Sequence, residues 1–293
     1  MKKNILCGLL LMVVCMVALT GCDFDVRNSS SLMSSYTSVY PTEYLLDYLY
    51  GDGIAIYSIY PDGTDYKNYK LSKKQIEDYS RGELFVYNST IEKEKDYAVK
   101  FLNKNKNMKI IDASLGMNIK YDISELWLDP SNYLMMASNI KQGLSEYVSE
   151  KYEIEKTINK NYSKLKLELS SLDAELKEAA ASSSNPTIVV SDNTFNFLEK
   201  YGFKVYSLKE DENLTNKTLS EVKSLMNSKT VKYIFMKDDD KETDTIKNLK
   251  DTYGVTTIKL NSLSTLSADD RKNKKDYISI MEDNISSIRL ETN

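Results

Sequence analysis

Short apolar runs alternate along the chain with longer stretches whose apolar residues recur every three or four positions. This alternation predicts strands and helices laid down in turn, the pattern of an α/β protein with mostly parallel sheets flanked by helices. The runs predict strands over Gly53–Tyr60, Leu84–Tyr87, Lys109–Asp112, Thr187–Val190, Lys204–Leu208, Tyr233–Met236 and Val255–Leu260, with helices between them at Pro41–Tyr50, Ser72–Tyr79 and Thr243–Thr252 among others. The clearest helix is central. Ile158, Tyr162, Leu165, Leu169, Leu172 and Leu176 recur at steps of four and three, with neither proline nor glycine between Leu144 and Ala181. The segment Glu153–Ala181 would be roughly 40 Å long, longer than one small lobe is wide, and Ser182-Ser183-Ser184-Asn185-Pro186 stops it before the next strand. A coiled-coil arm is the competing reading of this stripe. The short heptad run and compact-looking flanks favour a brace between two lobes with a cleft between them.

The start of the chain carries a different signal. Met1-Lys2-Lys3, an apolar stretch from Ile5 to Leu19 and small residues after it read as a secretory signal, too short to span a bilayer comfortably. Leu19-Thr20-Gly21-Cys22 resembles the lipobox of bacterial lipoproteins, which implies cleavage before Cys22 and lipid attachment to its thiol. Cys7 and Cys15 fall in the segment to be removed, so the mature chain keeps one acylated cysteine and no disulfide framework. The expected organisation is a signal peptide at 1–21, the lipidated cysteine and a polar, serine-rich tether at 22–38, an N-terminal lobe at 39–150, a connecting helix at 151–183 and a C-terminal lobe at 184–293. The folded part is expected outside the cytoplasmic membrane, anchored to its outer face and monomeric.

Composition narrows the chemistry. A net charge of −4 with interspersed signs argues against a nucleic-acid surface. Histidine is absent from all 293 positions, which excludes imidazole acid–base catalysis, Ser-His-Asp and Cys-His constellations and imidazole ligation. No nucleophile beside a base is legible, so the chain does not read as an enzyme. Asp238-Asp239-Asp240 with Glu242 and Asp244 lacks the glycine and distant glutamate of an EF-hand and reads as a solvated turn. The sole tryptophan, Trp127, is expected to pack under the Asp129-Pro130 turn.

Several segments, in order, carry a resemblance to a family. Pro61-Asp62-Gly63-Thr64-Asp65-Tyr66-Lys67-Asn68-Tyr69 is similar to a P-x-G-x-D-P-H-x-Y loop, and Glu125-Leu126-Trp127-Leu128-Asp129-Pro130-Ser131-Asn132 to an H-x-W-L-D-P-x-N segment that opens a helix. Asn161-Tyr162-Ser163 with Leu169 to Asp173 resembles a long backbone helix. Asp192-Asn193-Thr194-Phe195 followed by Tyr201-Gly202-Phe203-Lys204-Val205 resembles an H-D-A-F and Y-G-L-K-V stretch, and Ile234-Phe235-Met236-Lys237, Leu260-Asn261-Ser262-Leu263 and Tyr277 to Asn284 complete the register. The family is the metal-binding solute-binding lipoproteins of zinc and manganese ABC transporters. The resemblance implies two α/β lobes joined by a rigid helix, a divalent cation held in the cleft and an ABC permease as partner in the membrane.

At the family's four ligand positions this chain has Lys67, Glu125, Asp192 and Asn261. An ammonium in a metal's coordination shell repels the cation and offers no lone pair, and the family's usual zinc site is therefore not expected. Glu125, Asp192 and Asn261 leave open an oxygen-ligated divalent cation such as calcium, magnesium or manganese. The opposite charges suggest instead that Lys67 pairs with Glu125 or Asp192 across the cleft, an ion pair in the place of the metal or the floor of a site for another small ligand. The resulting expectation is a solute-binding lipoprotein with a degenerate, histidine-free cleft. The alternative is a surface lipoprotein that kept the fold, lost metal binding and serves as an adhesin or envelope interaction protein.

Overall fold

A computed structural model describes residues 33–148, 150–211 and 214–292; the signal peptide, Cys22 and the first part of the tether lie outside these. Residues from Met33 onward form one compact unit built on two four-stranded sheets. The first contains β1 (Met33–Thr37), β2 (Ile54–Ser58), β3 (Leu84–Tyr87) and β4 (Lys109–Asp112) in the order β2-β1-β3-β4. The second contains β5 (Thr187–Val190), β6 (Lys204–Ser207), β7 (Tyr233–Lys237) and β8 (Thr256–Leu260) in the order β6-β5-β7-β8. Every pairing is parallel, as crossover helices between consecutive strands require.

The helices are α1 (Tyr40–Tyr50), α2 (Lys73–Tyr79), α3 (Glu92–Lys104), α4 (Glu125–Leu128), α5 (Pro130–Tyr147), α6 (Tyr152–Ala181), α7 (Asn216–Asn227), α8 (Asp244–Tyr253), α9 (Ala268–Lys272) and α10 (Tyr277–Thr292), with a 3-10 segment at Asn193–Tyr201. Their starts are chemically marked. Ser72 caps α2 in a capping box with Gln75, and Thr243 caps α8 by accepting from the amide of Ile246. Among the described residues no helix is long and apolar enough to cross a membrane.

The predicted central helix is α6. Ile158, Leu165, Leu169, Leu172 and Leu176 are buried along its stripe, and the helix packs on α1, α5 and α10. It is an internal brace, and one hydrophobic cluster runs through it from Leu84 and Phe85 of the first sheet to Ile188 and Phe235 of the second. Burial of such a stripe, more than propensity, is what holds a helix of this length in place.

The tether reading is corrected at its end. Met33–Thr37 is a central strand, paired on one side with β2 and on the other with β3. Its inward positions are Met33, Ser35 and Thr37, so small polar residues stand where a strand usually shows apolar ones.

One close approach is diagnostic of the packing of α5 on β4. A methyl group on Gly143 would meet three Ile111 side-chain atoms at 2.7, 2.9 and 3.0 Å, and Ile111 is itself buried. Replacing Gly143 by alanine gains about 1 kcal/mol in helix propensity but overpacks this contact at a cost of about 1–3 kcal/mol. Urea unfolding is expected to show a net loss of stability; an unchanged or raised midpoint would mean that the two elements separate more readily than this packing implies.

Candidate functional site

In both sheets the carboxyl ends of the strands feed the loops that carry the predicted site, the usual ligand side of open parallel sheets. After β2, the 61–69 loop is fixed to the second lobe: the Gly63 amide donates to the Leu266 carbonyl (3.1 Å) and to the Thr265 hydroxyl (2.9 Å). Asp65 folds the loop back on itself by accepting from the Lys67 amide (2.9 Å) and from Asn68 Nδ2 (2.5 Å). The Lys67 side chain is left half exposed, its ammonium 3.9 Å from Asp122.

The other three positions are engaged locally. Glu125, the first residue of α4, is 4% exposed, and its carboxylate accepts the backbone N–H groups of Lys120 and Tyr121. Asp192 caps the 3-10 segment, accepting from the Thr194 amide (2.9 Å) and hydroxyl (2.6 Å), while its second oxygen lies 3.6 Å from the Lys209 ammonium. Burial alone would raise the Asp192 pKa, but the Thr194 hydrogen bonds and the charges of Lys209 and Lys237 hold it below the usual carboxylate range. The Asn261 side-chain oxygen accepts the Leu263 amide (2.8 Å), stabilising the left-handed backbone there, and Asn284 grips the Asn261 backbone by its N–H (2.9 Å) and C=O (2.8 Å).

The expected pairing of Lys67 with Glu125 or Asp192 is therefore not formed. Each carboxylate already has nearer partners, two backbone amides for Glu125 and Thr194 with Lys209 for Asp192, and Lys67 faces Asp122 instead. Among the described residues no group of three or more His, Cys, Asp or Glu side chains is placed to hold a metal ion.

The cleft instead contains a cation that sequence reasoning passed over. Lys237, the last residue of β7, points its ammonium 3.2 Å from Asp240 and 3.4 Å from Asp239, and burial, which would lower its pKa, is outweighed by Asp240, Asp239 and Asp192. Asp238 and Asp239 form an exposed turn, as the sequence suggests, and Asp239 and Asp240 pair there with Lys237. A cavity of about 80 Å³ lies between the loops, lined by Asp65, Tyr66, Lys67 and Ser124 from one lobe and Lys237, Asp239, Ser262 and Ser264 from the other. Two wider hollows, of about 510 and 610 Å³, share Lys120 and Tyr121 as a rim; the first includes Lys209 and the second Glu125 and Lys200.

Direct bonds hold the two sides together around this cavity. Trp127 is fully buried and donates its indole N–H to the Ser262 carbonyl at 2.8 Å, a lobe-to-lobe contact. Arg271 reaches Asp62 (2.6 and 2.8 Å) and Glu43 (2.9 Å), and Lys200 with Tyr201 converges on Asp129.

The model of the family described as zinc-uptake complex component A, periplasmic, matches residues 36–290. This chain belongs to that family. It is 24% identical over 311 residues to the zinc-binding lipoprotein AdcA of Streptococcus pneumoniae, covering 97% of this chain and 60% of AdcA, so it spans about three fifths of that relative. It is 27% identical over 219 residues to the metal ABC transporter substrate-binding lipoprotein SsaB of Streptococcus sanguinis, with 68% and 69% of the two chains covered. The Zn(II)-bound ZnuA-like domain of S. pneumoniae AdcA superposes with a TM-score of 0.69 at 24% identity over 89% of this chain and 99% of that domain.

Proposed function

We propose that this protein is the extracytoplasmic solute-binding component of an ABC importer, anchored to the outer face of the cytoplasmic membrane through lipid on Cys22, and that its cleft does not take zinc in the manner of its relatives. The lipobox-like run before Cys22 and the lipoprotein names of AdcA and SsaB support the anchor. The single observation that carries the second half is the state of the four positions matched to the family's ligands. Lys67 offers an ammonium, the Glu125 carboxylate and Asn261 carbonyl are hydrogen-bonded to backbone amides, and Asp192 is paired with Lys209 and bonded to Thr194. Zinc needs nitrogen, sulfur or carboxylate donors free to converge at about 2 Å, and breaking these bonds to supply them would cost more than an exposed site would.

Thermal unfolding after chelation, with zinc, manganese, calcium and magnesium added singly, tests the reading, because a ligand of the folded state must raise the midpoint by mass action. No saturable rise is expected with any of the four. A saturable rise lost in Glu125→Gln or Asp192→Asn would restore a metal cargo.

A further inference from the structure

We propose that the cavity between the lobes is a site for a small oxyanion, a tetrahedral or carboxylate group, so that the cleft has changed the sign of the solute it recognises; this rests on the solute-binding reading above. The lining brings two ammonium groups together. Among the described residues the Lys67 ammonium makes no hydrogen bond, since Asp122 at 3.9 Å is an ion-pair contact beyond hydrogen-bonding range. Lys237 has three hydrogens and two carboxylate partners. Ser124 is 5% exposed, and its hydroxyl makes no capping hydrogen bond to α4. Ser262 and Ser264 form a hydroxyl pair at 3.2 Å, and the Ser262 side chain also hydrogen-bonds the Asp238 carboxylate.

The carboxylates of the lining are already engaged. Asp65 uses both oxygens, on the Lys67 amide and Asn68, and Asp239, 60% exposed, meets Lys237 through one of its two. A group that only accepts, and carries negative charge, fits converging ammonium and hydroxyl donors. The size agrees. At roughly 30 Å³ per water in the liquid, 80 Å³ accommodates a single group of a few heavy atoms. Lys67, half exposed, stands at the entrance, and Lys237, mostly buried, at the floor.

The test is thermal unfolding of the chelated protein with inorganic phosphate, sulfate and acetate, each against sodium chloride at matched ionic strength. Lys67→Met, Lys237→Met and, as a control lysine on the exposed face of α6, Lys164→Met are measured alongside. The expected result is a saturable rise with at least one of the oxyanions whose apparent Kd weakens by about tenfold or more in Lys67→Met and is unchanged in Lys164→Met. Among the described residues the Lys67 ammonium is held only by Asp122 at 3.9 Å and by the Tyr66 ring face at 6.0 Å, so this variant stays folded and informative if Lys237→Met unfolds. A rise of equal size in wild type and Lys67→Met would be the general exclusion of such salts from protein surfaces and would overturn the proposal, as would no saturable rise with any oxyanion. If zinc is inert as well, the oxyanion site alone falls and the zinc-free reading stands; a saturable zinc response lost in Glu125→Gln would remove both.

Discussion

Replacing Asp129 by alanine is expected to cost about 3 kcal/mol of stability, the largest loss from any single polar residue at the junction of the lobes. Asp129 is 3% exposed, and its carboxylate has several partners. It caps α5 by accepting from the Ser131 amide at 3.0 Å, and it also accepts from the Ser131 hydroxyl (2.9 Å), the Tyr201 hydroxyl (2.8 Å) and the Lys200 ammonium (2.8 and 2.9 Å). Tyr201, a short way along the chain from the second sheet, links onward to Asp173 of α6 at 3.0 Å. Its hydroxyl is held protonated, because burial and then the two carboxylates push its pKa up. Loss of the cap alone costs about 1 kcal/mol. Breaking a buried charge pair costs about 3–5 kcal/mol, discounted here because the Lys200 side chain is 45% exposed. At roughly 2–4 °C per kcal/mol for a chain of this size, the midpoint should fall by about 6–12 °C. Asp129→Asn, which keeps an acceptor for the cap but not the charge, should recover about a third of the loss. A drop of less than about 1 kcal/mol in Asp129→Ala would reduce this residue to an ordinary surface pair.

The second large effect is a dependence on pH centred on Glu94. This residue of α3 is fully buried. One carboxylate oxygen accepts the Asn88 amide at 3.0 Å, and the other, with the Tyr60 hydroxyl, Asn88 Nδ2 and the Thr37 hydroxyl, has no hydrogen-bond partner among the described residues. Burial raises its pKa to about 8 against an ordinary 4.5, more than the Ser38 hydroxyl, the Asn88 amide and the Lys93 charge draw it down. The folded state therefore binds a proton that the unfolded state has released between these values. The associated stability is present in full below about pH 4.5 and is lost as pH rises to about 8. A tenfold difference in proton affinity between the folded and unfolded states corresponds to about 1.4 kcal/mol, so the loss is on the order of a few kcal/mol. Glu94→Gln keeps a neutral side chain of the same shape at every pH. Urea midpoints measured from pH 5 to 9 should show the variant gaining on wild type steadily and exceeding it at the upper end. Subtracting the two curves removes Asp47 and Glu291, whose pKa values are also raised by burial. Parallel curves would mean that Glu94 is solvated or paired in solution.

Most of the framework was legible because the buried stripe of α6 and the apolar runs of β3 to β8 follow simple periods. β1 was hidden because its inward positions are Met33, Ser35 and Thr37, and two hydroxyl side chains erase the apolar alternation that marks a half-buried strand. The cleft was legible in place but not in pairing. The family resemblance and the opposite charges put Lys67 opposite Glu125 and Asp192, whereas the nearest carboxylate is Asp122, three residues before Glu125, because Glu125 turns its side chain toward the amides of the 120–121 loop. Lys237 was missed by one residue. The run Tyr233–Met236 ends its apolar character just before it, yet the strand continues to Lys237, and that last position points into the cleft.

The central claim is that a zinc-uptake component A fold carries here a cleft closed to zinc. Equilibrium dialysis of the chelated, intact protein against micromolar zinc, followed by elemental analysis, tests it most directly. The account predicts zinc well below one ion per chain and the same trace of metal in Glu125→Gln and Asp192→Asn as in wild type. One zinc per chain in wild type, lost in either variant, would contradict it.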